Sequence, residues 1–155
     1  MKYICPFCAL DPLSHSLTEI TEYNNTIYYY TCPSKAKLYF DTKSIINHYD
    51  GVLSEIPENI QWVWIFDSND FRMKHFLQIE VGIELAKLIS RKFSNNLKKI
   101  IIINPNIYIS SVYSLVYPFM NEKLRSIIEM NYEYKTSKDV IADLFSNKII
   151  YQNNI

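Results

Sequence analysis

WVWIFD, residues Trp62–Asp67, opens the stretch that decides the fold. Trp62, Trp64 and Phe66 share one face of a strand and Val63 and Ile65 the other, so both faces must be shielded from water and the strand belongs inside a sheet. Phe76–Phe93 then carries Glu80, Glu84, Lys87 and Arg91 at three- and four-residue spacing, a narrow charged stripe on a cylinder built around Ile79, Ile83, Ala86 and Ile89. This predicts a helix buried over most of its surface, with Glu80 and Glu84 on its solvated side and not paired for catalysis. KKIIIIN (Lys98–Asn104) is a second β-branched run, halted by Pro105. Strand, helix and strand together predict a right-handed parallel crossover.

Working outward, Ile27–Phe40 reads as an edge hairpin, SKDVIADLFSN (Ser137–Asn147) as a late amphipathic helix and KIIYQ (148–152) as a short terminal strand. The expected fold class is α/β, a mixed, mostly parallel central sheet of about five strands with helices on both faces. At 155 residues the chain suits a single domain over 1–155, read as an N-terminal arm (1–26) and a core (27–155).

Composition excludes several functions. Lys plus Arg and Asp plus Glu number 16 each with no run of like charge, so no electrostatic footprint for a nucleic acid exists. No apolar run reaches the roughly 18 residues of a membrane span, and MKYICPFC is too short for a signal peptide, so a cytoplasmic protein is expected. Gly51 and Gly82 are the two glycines, too few for a phosphate-binding loop or a Gly-x-Ser-x-Gly elbow. With no nucleophile, base or cofactor motif, the chain is expected not to be an enzyme.

Cys5-Pro6-Phe7-Cys8 admits three readings. As a dithiol it would need a helix N-terminus to lower a thiol pKa, and Asp11-Pro12 stops any helix after one turn. As a zinc knuckle, Cys5 and Cys8 have the spacing to share a tetrahedral ion, with His15 and Cys32 completing the set and stapling the arm to the sheet edge. The plainest reading is three free thiols, because an odd cysteine count without an export signal argues against disulfides. His48 and His75, each without a Cys or His beside it, read as surface or cap residues. Asp67 ends a buried strand where open α/β sheets bind ligands, and it also suits a turn with Ser68, Asn69 and Asp70.

Tyr108, Val112, Tyr113, Val116, Tyr117, Phe119 and Met120 form an apolar surface sprinkled with hydroxyls, fit either for a core wall or for the lining of a cavity. Their setting carries a resemblance. WVWIFDSNDF, a long helix ending RKFSNNLKKIIIIN with its IIIIN strand (Ile100–Asn104), and VYPFMNEKLRSII (Val116–Ile128) together resemble the CRAL-TRIO lipid-binding domain. YYYTCPSKAKLYFDTKSIINHYDGVL (Tyr28–Leu53) is similar to that family's opening strands and first helix. The resemblance implies binding, and with it transfer, of a lipid or other hydrophobic small molecule in an apolar cavity that gate helices cover, with no covalent chemistry. It implies lining roles for Trp64, Phe66, Tyr108, Tyr113, Val116 and Phe119, transient contact with membrane surfaces, and no cofactor beyond the zinc option. Some divergent relatives are instead protein-interaction modules, which leaves a protein partner as the alternative.

The chain departs from the family pattern in several places. Phosphatidylinositol-transferring members carry a glutamate and a lysine where Asn95 and Tyr117 stand here, so the usual headgroup site is missing. Asp70 replaces a glycine, an exchange that a left-handed turn tolerates. The loop Asn104-Pro105-Asn106 is rearranged, no glycine follows Gly82, and the family's N-terminal helical extension has no counterpart. A trimmed domain with a smaller or more open cavity is the expectation.

Overall fold

A computed structural model describes residues 3–153, with side chains described up to residue 146. Five strands form one sheet in the order β1 (Thr18–Tyr23), β2 (Thr26–Thr31), β3 (Gln61–Asp67), β4 (Leu97–Ile103) and β5 (Ile128–Asn131). The pair β1–β2 is antiparallel and every later pair is parallel. The helices are α1 (Pro6–Leu10), α2 (Thr42–Leu53), α3 (Met73–Phe76), α4 (Ile79–Leu88), α5 (Ile107–Val116), α6 (Glu122–Ile127) and α7 (Ser137–Asn153). Each crossover steps one strand in the same direction, so a common hand puts α2, α4 and the α5–α6 pair on one face. The core agrees: Trp62, Trp64, Ile100 and Ile102 pack with α2, α4 and α5 on that face. Val63, Ile65, Ile101 and Ile103 pack against Val140 of α7 on the other. The expected α/β class, mostly parallel and covered on both faces, is what the chain adopts.

Several boundaries differ from expectation for local reasons. The edge hairpin spans Thr18–Thr31 and not Ile27–Phe40, so its first strand lies within residues 1–26. Its turn is Asn24-Asn25, both left-handed (φ 53° and 60°), the pattern of a two-residue turn whose twist matches the strands. TEITEY is a polar, exposed edge strand and carries no hydrophobic pattern in the sequence. The expected helix Phe76–Phe93 is three pieces: α3, α4 after a break at Gln78, and a π-helical turn over Ile89–Phe93. Within that wider turn the Phe93 carbonyl accepts from Trp62 Nε1 at 3.0 Å, tying the helix end to β3. The residues KIIYQ continue α7 and form no strand. The fifth strand is Ile128–Asn131, which begins at the last residue of VYPFMNEKLRSII.

Asp67, buried at the carboxyl end of β3, organises the strand ends. Its carboxylate accepts from Tyr30 OH at 2.6 Å, Asn104 Nδ2 at 2.9 Å and Asn69 N at 2.9 Å. Burial, together with the adjacent carboxylate, pushes the Tyr30 hydroxyl up, so it remains a donor. Asp70 is left-handed at φ 58°, as its place in the turn requires. The carboxylate is thus spent inside the fold.

Candidate functional site

Trp62, Trp64 and Phe66 project from β3 as a ladder of rings, with Trp64 and Phe66 centroids 5.7 Å apart at 75°. Large rigid rings cannot interdigitate fully with the helices above them, and an apolar cavity of about 120 Å³ remains. Its floor is Trp64, Phe66, Ile100 and Ile102; α4 contributes Val81, Leu85 and Ala86, and the π-helical turn after it Ile89; α5 contributes Ile109, Val112, Tyr113 and Val116. Met120, Leu124 and Ile128 close one end, and Ile45 and Tyr49 of α2 with His15 and Ser16 close another. Gly82 lets α4 and α5 approach closely: a Cβ there would meet Val116 Cγ2 at 3.1 Å and Val112 Cγ1 at 3.4 Å.

Polar atoms in the wall bond to one another. Trp64 Nε1 donates to Thr31 Oγ1 at 2.9 Å, and that hydroxyl lies 3.0 Å from Tyr49 OH. Burial pushes the Tyr39 and Tyr49 hydroxyls well up, so both stay neutral. The space therefore offers an apolar, uncharged surface.

Of the lining residues expected from the sequence, Trp64, Phe66, Tyr113 and Val116 face the cavity. Tyr108 packs against the core beside it, and Phe119 is 39% exposed with Lys87 Nζ 5.2 Å from its ring centre. Reading the sequence missed the contributions of α2, α4 and β2, although the apolar spacing of Val81 and Leu85 on α4, continued by Ile89 just beyond it, carried the signal. Tyr117 stacks under Arg125, whose guanidinium carbon is 4.5 Å from the ring centre. Asn95 accepts from Lys123 Nζ through its carbonyl at 3.1 Å.

Beyond the α2 end of the cavity, the N-terminal arm is folded onto that helix. The ring of Tyr3 lies over Gly51 where a Cβ would otherwise stand. Cys5 and Cys8 bracket the first turn of α1, and His15 Nδ1 is 3.5 Å from each sulfur. Contrary to expectation, His48 is interior at 6% exposed; His75, itself buried, takes the expected cap role, its Nδ1 accepting from Arg72 N at 3.0 Å at the start of α3. Cys32 does not join the other cysteines, its sulfur facing Ser34 Oγ at 3.3 Å. Burial, helped by His48, holds the His15 imidazole down to about 4, and burial also lowers His48 against the opposing bond to the Leu17 carbonyl. Burial raises the Cys8 thiol, the reverse of what a redox-active dithiol needs.

The family model of the CRAL/TRIO domain matches residues 36–150. Among solved structures the chain is similar to "Crystal structure of Sfh5", with 14% identity and a TM-score of 0.56, covering 77% of this chain and 48% of that one. The chain thus spans about half the length of that relative, and at this identity the likeness is one of fold. No curated protein matches the chain. Among the described residues, no helix is long and apolar enough to cross a membrane.

Proposed function

The chain belongs to the CRAL/TRIO domain family, whose members bind lipids or other hydrophobic molecules, and from that premise we propose that it holds such a ligand in the cavity between the sheet and α4–α5. The observation that carries this reading is the wall itself: apolar side chains on every side, with the polar edges of Trp64, Thr31 and Tyr49 already paired. Each methylene moved there from water contributes about 0.8 kcal/mol, so an acyl chain gains affinity without polar contacts. No step of the reading requires covalent chemistry.

A cavity of about 120 Å³ is smaller than the roughly 300–1,000 Å³ of pockets for drug-sized ligands, so a lipid enters only if the wall moves. The movable part is α5 with the 3₁₀ turn Tyr117–Phe119, because its outer side is solvated: Ile107 is 75% exposed and Leu115 51%. Release of the ligand at a membrane surface would use the same opening. With Asn95 and Tyr117 at the headgroup positions, recognition falls to the apolar tail.

Native mass spectrometry of the protein purified from cells, followed by denaturation and identification of the released molecule, tests the reading. A lipid in near-stoichiometric amount is expected. Val116→Trp fills the space beside Gly82 and should abolish retention while the far-ultraviolet circular dichroism stays unchanged. Retention equal to wild type would remove α5 from the site. The exposed apolar side chains Ile107, Leu115, Tyr117 and Phe119 favour a second reading, a protein-interaction module. A protein that stays empty after incubation with mixed membrane lipids selects it.

A further inference from the structure

Four potential metal ligands converge where the arm meets α2. The sulfurs of Cys5 and Cys8 and the ring nitrogens of His15 and His48 all lie within 4.8 Å of one another. Zinc bonds of about 2.3 Å to sulfur and 2.0–2.1 Å to nitrogen at tetrahedral angles require sulfur–nitrogen edges of about 3.6 Å. The edges here are 3.5 Å for Cys5–His15, 3.5 Å for Cys8–His15 and 3.8 Å for Cys8–His48. What singles the cluster out is that four soft donors gather within 4.8 Å of one another, a convergence that pairwise hydrogen bonds do not require.

The outer partners fit as well. Both imidazoles turn Nδ1 inward and anchor Nε2 outside: His15 Nε2 is 3.0 Å from Ser44 Oγ, and His48 Nε2 is 3.4 Å from the Leu17 carbonyl. Such partners fix the tautomer and aim of a ligating ring. Cys5, His15 and His48 are buried and Cys8 half-buried. Two thiolates and two neutral imidazoles around a divalent ion sum to zero charge, which removes the main cost of burying the cluster. The donor set of two sulfurs and two nitrogens with no carboxylate selects zinc over magnesium or calcium.

We propose that Cys5, Cys8, His15 and His48 form a structural zinc site that staples the N-terminal arm to α2. Cys32, with its sulfur turned to Ser34, has no part in it. The ion closes a loop running from Cys5 to His48, and because His15 also borders the cavity, it pins the segment that shuts the cavity's α2 end. Metal coordination replaces the large hydrophobic interface that a short arm lacks.

The test is metal analysis of the full chain purified without chelator, followed by extraction and reloading with cobalt(II). One zinc per chain is expected, and the cobalt form should display the intense absorption of a tetrahedral site with thiolate charge-transfer bands. Cys8→Ser and His48→Gln should each weaken zinc binding at least about tenfold, and Ser44→Ala by about 10–100-fold through the loosened His15 ring. Cys32→Ser should bind as wild type does. A wild-type chain that neither retains zinc nor gives the cobalt spectrum overturns the proposal, as does equal loss of metal in Cys32→Ser, or a Cys5–Cys8 disulfide seen as a two-hydrogen mass deficit. The wild-type cobalt spectrum decides the matter even if a variant fails to fold.

Discussion

On the sheet face that carries Trp62, Trp64, Phe66 and Tyr29, three crossovers cover the strands and still leave a cavity of about 120 Å³. On the face that carries Val63, Ile65, Ile101 and Ile103, the single helix α7 closes over β-branched side chains, with Val140 fully buried among them. Both faces are apolar and both come from the same strands, so hydrophobicity does not distinguish them. Shape does: β-branched side chains fill a pleated surface, whereas stacked rings leave gaps that a second layer must bridge. The face with the cavity has room for a ligand to add contacts, which is the basis of the proposed site.

The largest expected effect tests this contrast directly. Ile65→Ala removes a fully buried side chain on the α7 face and should cost about 4 kcal/mol, near the upper end for such truncations. Ile102→Ala, beside space already empty, should cost about 2 kcal/mol because fewer neighbouring atoms lose contact. Chemical denaturation of both variants measures the difference, and equal losses would show the two faces to be packed alike.

A pH series sharpens the same comparison. His75 sits on the cavity side, its ring centre 5.2 Å from those of Tyr39 and Phe71, and Nδ1 accepts from Arg72 N at 3.0 Å, which a neutral ring alone permits. Burial first, then Lys74 and Arg72 against the opposing pull of Asp70, lowers its pKa from the ordinary 6.5. The unfolded chain therefore takes up a proton at higher pH than the folded chain does. The stabilisation is whole above about 6.5 and declines as pH falls through the lowered pKa. His75→Gln should flatten that part of the stability profile, and an unchanged slope between wild type and variant would exclude His75 as its source.

How much of this was legible follows from where the signals lie. Strands β3 and β4 and the helical crossover between them read clearly because both faces of each strand are apolar, a pattern that few other structures tolerate. KIIYQ misled because a short β-branched run cannot be told from the end of a helix by periodicity. Trp64, Phe66, Tyr113 and Val116 could be placed together from the family likeness, but the close approach of α4 to α5 rests on Gly82, whose missing side chain leaves no hydrophobic signal. Cys5 and Cys8 announced themselves by spacing, whereas His48 meets them only because the arm folds back onto α2. Tertiary placement of that kind has no local pattern.

The smallest effect is expected at Ser68, the residue after Asp67 at the end of β3. Ser68 is completely buried, and among the described residues its hydroxyl finds no hydrogen-bond partner, while its backbone N–H donates to the Ile103 carbonyl at 2.9 Å. The backbone bond joins β3 to β4 whatever the side chain, so Ser68→Ala keeps the strand end and removes only the unpaired oxygen. A buried unsatisfied hydroxyl costs about 1–3 kcal/mol, against which stands the loss of one small atom's packing. The variant should therefore be as stable as wild type or more stable by up to about 1 kcal/mol. A loss of more than that on denaturation would mean that the hydroxyl is paired in solution, by an ordered water at the strand ends, and that this end of the sheet is wetter than the complete burial of Ser68 implies.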